Sequence, residues 1–167
     1  MATATELANQ LIAEIESAFG AVSRDFGVTL HEAEVIDNYG SWDERLKARQ
    51  LDRDRKWQDV PDKDIEEHYS ILSFLDLKGF HYYIPAFMRW SLRHHNTSTS
   101  SSCDSAVFAL CPSNKPELRD GVLERLNVFD EEQARVICRF LRYMAEYAEN
   151  DTARKAVELH WGCFCNP

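Results

Sequence analysis

The sequence predicts an irregular all-α domain, and three observations lead there. Apolar residues recur at helical spacing through most of the chain, cap-forming residues stand ahead of these runs, and no stretch beyond Phe80 to Ile84 alternates like a strand. At 167 residues, with 44% apolar side chains and only 6 Gly and 5 Pro, the chain is long enough for one core and too short for two. The expected architecture is a single helical domain over 1–167, a bundle of about seven helices around a buried central helix at about 85–95.

The first helix, over 4–22, carries Leu7, Leu11, Ile12, Ile15, Phe19 and Val22 along one face. Gly27 breaks the chain, and Thr29 with Glu32 three residues later forms a capping-box pattern for a short helix to Tyr39 and Gly40. From Trp42 to Trp57 charges of both signs are nearly continuous, with Leu46, Ala48 and Leu51 the only apolar thread, so the segment reads as an exposed helix or ordered arm. Val60-Pro61-Asp62 offers a turn and cap for a helix over about 62–75, with Ile65, Tyr69, Leu72 and Phe74 inward. Gly79 permits a tight reversal. His81 to Ile84 is expected to be extended, because residues ahead of proline avoid helical angles, and Pro85 starts the central helix. Ala86, Phe87, Met88, Trp90 and Leu92 make that helix apolar almost all round, the mark of burial. The Ser/Thr-rich tract 96–105 reads as a loop. A short helix follows Pro116, a long one capped by Asp130 runs over about 131–148, and a last one runs from Asp151 or Thr152 to Trp161.

The net charge of -9 is uneven: residues 1–41 hold seven acids against one base, Arg24. An acidic surface repels phosphate backbones, which excludes nucleic acid as the expected partner and favours a basic protein or peptide. No apolar run reaches membrane-spanning length and Met1 to Gln10 lacks the pattern of a secretory signal, so a cytoplasmic location without membrane attachment is expected. Five cysteines, an odd number spread over 103–165, do not form a secreted disulfide framework, and reduced thiols are expected.

The stretch Gly79-Phe80 to Tyr82-Tyr83-Ile84-Pro85-Ala86-Phe87-Met88, with Ser73-Phe74-Leu75 before it and Leu30-His31-Glu32-Ala33-Glu34-Val35-Ile36-Asp37 further upstream, resembles the signature of a bacterial family known as a domain of unknown function. The resemblance spans about residues 10–148. It implies a shared fold and carries no chemistry with it. The Ser-rich loop and the Cys-x-Cys tail have no counterpart in that pattern.

Several side chains are candidates for chemistry. On a helix from Leu30 to Tyr39, His31, Glu34, Asp37 and Asn38 share a polar arc, and Glu32 falls among apolar neighbours. A His and two carboxylates on adjacent turns suit a divalent cation only if another element completes the site, and the face otherwise reads as solvated. Glu32 is expected to cap its helix or pair with an arginine or tyrosine, with a role as acid or base the alternative. In the tail, the soft thiolates of Cys163 and Cys165 stand near the His160 imidazole, but a fourth ligand would have to come from Cys138, Cys111, His94 or His95, so no metal is expected. No nucleophile frame or phosphate-binding glycine loop is present, and no cofactor is expected. Arg135, Arg139 and Arg142 form a basic stripe that Glu131 and Glu146 can neutralise. The aromatic set Trp42, Trp57, Tyr82, Tyr83 and Trp90 reads as core in the main, and Trp42 and Trp57, bracketing the charged arm, are the first of it to look for on the surface, where such residues mark binding hot spots. Together these features point to a non-enzymatic interaction module, an adaptor or an inhibitor or immunity-type protein, that engages a basic partner through Glu34, Asp37, Trp42 and Trp57. The alternative is a metal-dependent or acid–base enzyme built on His31, Glu32, Glu34 and Asp37.

Overall fold

The computed structural model describes residues 1–165, and these contain nine α-helices, three 3-10 turns and no strand. The helices are α1 (Ala4–Ala18), α2 (Leu30–Asp37), α3 (Trp42–Arg49), α4 (Asp62–Glu67), α5 (Leu77–His94), α6 (Ser102–Ala109), α7 (Pro116–Leu126), α8 (Glu131–Tyr147) and α9 (Asp151–Leu159). The turns lie at Trp57–Asp59, Ile71–Phe74 and Trp161–Phe164. Helix α1 packs on α5 and α8, α9 packs on α8 and α6, and α2 packs on α3 and the 71–74 turn. The count exceeds seven because α6 forms beyond Ser101, where the sequence predicts no helix, and the segment read as a helix or ordered arm holds α3.

Caps fix most starts. Thr3, Thr29, Ser41 and Asp130 each accept a backbone N–H from the residue three ahead, whose own side chain returns the bond. Asp76 does more than cap α5: its Oδ1 accepts the Gly79 N–H at 2.8 Å and the Val28 N–H at 3.0 Å, tying the 24–29 loop to the helix start. A Cβ at Gly79 would collide with the Val28 carbonyl oxygen, so this close approach needs glycine.

Helix α5 corrects the expected extended segment at 81–84 and a helix start near 85. It begins at Leu77 and runs through Pro85 to His94 without reversing at Gly79. A proline inside a helix costs about 3 kcal/mol by deleting one N–H and crowding the preceding turn. Against this, Phe80, Tyr82, Tyr83, Ile84, Phe87, Met88 and Trp90 are all buried along α5, and each fully buried large apolar side chain contributes about 1.5–3 kcal/mol. Burial outweighs the local preference. The Ser/Thr-rich tract is also shorter as a loop than expected, because α6 begins at Ser102, whose hydroxyl donates to the Ile65 carbonyl at 2.7 Å.

Trp57 is the main correction on the surface: it is fully buried. The 3-10 turn folds it inward, its indole N–H donates to the Phe19 carbonyl at 2.9 Å, and the Arg89 guanidinium lies over its ring at 5.0 Å. The expectation of five reduced thiols is also revised. Cys138 on α8 and Cys165 after the last turn are disulfide-bonded, with their Cα atoms 5.5 Å apart, while Cys103, Cys111 and Cys163 are free. An odd cysteine count argues against a full framework but not against one bond.

Candidate functional site

The polar chemistry of the molecule gathers where α2, α3, the 50–56 segment and α5 meet. Glu32 is buried in the first turn of α2 because its cap role turns it inward: its Oε2 accepts the Thr29 N–H at 3.2 Å. The same carboxylate receives both arginines on the facing side of α3. Arg45 donates to Oε1 from Nε at 3.2 Å and from Nη2 at 2.9 Å, and Arg49 donates to Oε2 at 2.8 Å. Arg45 and Arg49 reach it together because they lie four apart, on one helix face. Arg49 also donates to the Gly27 carbonyl at 2.8 Å, and the Arg45 guanidinium covers the Trp42 ring at 4.8 Å.

A second group centres on Arg24. Its Nη1 donates to Asp54 Oδ2 at 2.8 Å and to the Tyr83 hydroxyl at 2.6 Å, and its guanidinium stands over the Tyr82 ring at 5.2 Å. The Tyr82 hydroxyl donates to the same Asp54 oxygen at 2.7 Å, and the Tyr83 hydroxyl accepts the Leu30 N–H at 3.2 Å. Burial, reinforced at Tyr82 by the Asp54 carboxylate, pushes both phenols well above their usual range, so both stay neutral.

Asp52 joins this group to His31. Its carboxylate accepts the His31 backbone N–H at 3.0 Å and pairs with Nδ1 of the ring at 2.8 Å. Burial works against the charge on Asp52, but the hydrogen bonds from His31 and Thr29 hold its carboxyl below the usual range. The hydrogen bond to Asp52 raises the His31 imidazole above its ordinary value, with partial burial opposing. His68 meets His31 edge to face at 4.5 Å, with Nδ1 against the Asp64 carbonyl at 2.8 Å and Nε2 against Glu34 at 3.1 Å.

The sequence-derived candidates are therefore dispersed. His31 and Glu32 point into the polar junction. Glu34 is exposed and held by His68, and Asp37 is half-buried on the last turn of α2. Trp42 is 61% exposed and Trp57 lies in the core. In the tail, Cys165 is bonded to Cys138, the Cys163 thiol points at the His160 carbonyl at 3.3 Å, and the His160 ring packs on Trp161 and Phe164. Among the described residues no three His, Cys, Asp or Glu side chains converge as a metal site. From the basic stripe, Arg135 pairs with Glu131 at 3.4 Å as its spacing suggests, whereas Arg139 reaches across to Glu14 on α1 at 2.5 Å.

Sequence reasoning missed Arg24, Asp52, Asp54, Arg45, Arg49 and the two tyrosines as partners. One signal was available: Arg24 is the only base in the first 41 residues. It also missed Tyr39, which is 97% exposed and holds a left-handed backbone with φ 56°. The bonds that end α2 demand that conformation. The Gly40 N–H reaches the Val35 carbonyl at 2.8 Å and the Tyr39 N–H reaches Ile36 at 3.1 Å, the Schellman arrangement that usually places glycine where Tyr39 stands.

The family of unknown function DUF6714 matches residues 7–162, nearly the whole chain. The chain belongs to this family. In this DUF6714 protein the match takes in the α2–α3 junction, α5 and the turn at 161–164. No curated protein and no solved structure matches it. No helix among the described residues is long and apolar enough to cross a membrane.

Proposed function

We propose that this protein is a non-enzymatic interaction module, an adaptor or an inhibitor or immunity-type protein, that binds a basic partner through the turn joining α2 to α3. The observation that carries this reading is Tyr39, an aromatic side chain in full contact with water on a backbone that disfavours it. Backbone strain of this kind clusters at functional positions. Around Tyr39, residues 34–44 carry Glu34, Asp37, Asp43 and Glu44 and no Lys or Arg, with Trp42 exposed among them. Exposed aromatics supply contact area, and the excess of carboxylates in this stretch steers a cationic surface toward them, although His68 pairs with Glu34 and Arg45 covers one face of Trp42. Trp57 drops out of the binding set, and Tyr39 takes its place.

The polar junction supports the same reading. Glu32, Asp52 and Asp54 are each bonded to Arg, Tyr or His side chains of the same chain, an arrangement that fixes α2 against α3 and α5 and thereby presents the turn rigidly. The alternative, acid–base catalysis, rests on one observation, the buried Asp52 behind the partly exposed His31. Its other acid, Glu32, has both oxygens occupied by arginines.

The test is a pull-down from the source cell with the whole chain as bait, followed by titration of the recovered partner against variants. A basic partner is expected, its affinity falling as salt rises. Tyr39→Ala or Trp42→Ala should each weaken it by about 2 kcal/mol, the scale of an aromatic hot spot, mainly through faster dissociation. Asp37→Lys with Asp43→Lys should slow association, whereas the same charge change at Glu117 and Asp120 on α7 should not. A partner indifferent to Tyr39, Trp42, Asp37 and Asp43 would overturn the proposal.

A further inference from the structure

We infer that the Cys138–Cys165 bond is a thiol-exchange site, opened and closed by a thiolate reagent that attacks the Cys165 sulfur. The two cysteines sit in opposite surroundings. Cys138 is fully buried on the core face of α8, whereas Cys165 is partly exposed and lines an open cleft of about 430 Å³ between α1 and α8. Only the Cys165 side of the bond can therefore be reached from solvent. The cleft wall carries Arg135 and Arg139 together with Glu14 and Glu132, and Arg135 pairs with Glu131 and Arg139 with Glu14, so the cations are offset and access, not charge, singles out Cys165.

The exchange balances in two steps. The incoming thiolate bonds to Cys165 Sγ as the Cys138–Cys165 bond breaks, and Cys138 leaves as a thiolate that takes a proton from the water admitted as the end of the turn lifts off α8. A second thiol, on the same reagent or on another molecule of it, then attacks the reagent's sulfur and frees Cys165. Two reagent thiols are oxidised to a disulfide, and the protein disulfide is reduced by the same two electrons. The reverse sequence, from an oxidised reagent, closes the bond.

The fold limits what the exchange releases. Trp161 is buried and its indole N–H donates to the Leu110 carbonyl at 2.6 Å, so the turn stays anchored at its start when the bond opens. What comes free of α8 is the end of the turn, Cys163 to Cys165, with Phe164 on the cleft wall. The last turn thus becomes a redox-sensitive cover on the α1–α8 cleft.

The experiment incubates the intact protein, without denaturant, in glutathione buffers of graded potential and separately with dithiothreitol. Thiols are alkylated and mapped by mass spectrometry. Cys138 and Cys165 are expected to gain and lose their labels together across the series, with the far-ultraviolet circular dichroism unchanged. Opening by glutathione identifies a small thiol as sufficient, and opening by dithiothreitol alone identifies a dithiol. Cys138→Ser should accumulate a glutathione mixed disulfide at Cys165, and Cys163→Ser should leave the exchange unchanged. The inference is overturned if Cys138 and Cys165 remain alkylatable in fully oxidised glutathione, or if the bond opens only when the protein is unfolded.

Discussion

Replacing Tyr39 by glycine is expected to stabilise the protein, an unusual direction for removing an aromatic residue. Tyr39 holds φ 56° and is 97% exposed, so its ring contributes almost no burial to the fold. An L-residue in the left-handed region carries a cost of about 1–2 kcal/mol from crowding between Cβ and the backbone. Glycine escapes that cost but gives the unfolded chain more freedom, a penalty of about 0.5–1 kcal/mol. The difference leaves Tyr39→Gly more stable by up to about 1.5 kcal/mol and no less stable than the parent. Tyr39→Ala keeps the Cβ and hence the strain, and should lie within about 0.5 kcal/mol of the parent, as surface changes usually do. Urea unfolding followed by the fluorescence of the buried Trp57, Trp90 and Trp161 reads both variants at one pH. A destabilised Tyr39→Gly would refute the argument, since it would show the ring making contacts that hold α2. Stabilisation together with lost partner binding would show a side chain retained for recognition at the expense of the fold.

Four further outcomes are expected. Glu32→Ala removes a cap and leaves Arg45 and Arg49 without their carboxylate, and should cost about 2–3 kcal/mol in urea unfolding, below the range for fully buried pairs because both arginines are more than a quarter exposed. Glu32→Gln keeps the capping acceptor and should recover about 1 kcal/mol of that. Phe87→Ala, in the buried face of α5, should destabilise by about 3–5 kcal/mol; a near-neutral result would contradict the burial of that helix. Cys165→Ser, compared with the oxidised parent, opens a loop of sequence separation 27 and should cost about 3–4 kcal/mol by loop entropy, seen as a melting point lower by roughly 10 °C. For His31→Gln the effect depends on pH. The His31 imidazole is raised in the folded state, so its contribution is complete below the unfolded value of about 6.5 and fades as pH rises through the folded value. The depressed Asp52 carboxyl contributes above its own unfolded value of about 3.9 and fades as pH falls through its folded one. The stability gap between parent and His31→Gln should thus be widest near pH 5 to 6 and narrow toward pH 9. A gap that widens with rising pH would contradict the His31–Asp52 pairing.

The sequence by itself determined the helical class, the capped starts at Thr29 and Asp130, the apolar character of residues 84–92 and the need of Glu32 for a cationic or capping partner, because each follows from spacing within a few residues. Helical periodicity and capping are local, and local physics can be read along one segment. Tertiary structure decided what depends on distant neighbours. Pro85 stays inside a helix because core burial on both sides of it exceeds its local cost, which no window around the proline shows. Trp57 is buried because Phe19, just past α1, and Arg89 of α5 surround it, while Arg55, Lys56 and Asp59 beside it face outward. Arg45 and Arg49 find Glu32, and Arg24 finds Asp54 and Tyr83, across separations that the chain closes only by folding. Tyr39 was visible ahead of Gly40 at a helix end, but its exposure and left-handed backbone were not, since these arise from how the turn seats α3 against α2. Cys138 and Cys165 bond because α8 and the last turn pack together, a proximity that a count of cysteines cannot contain.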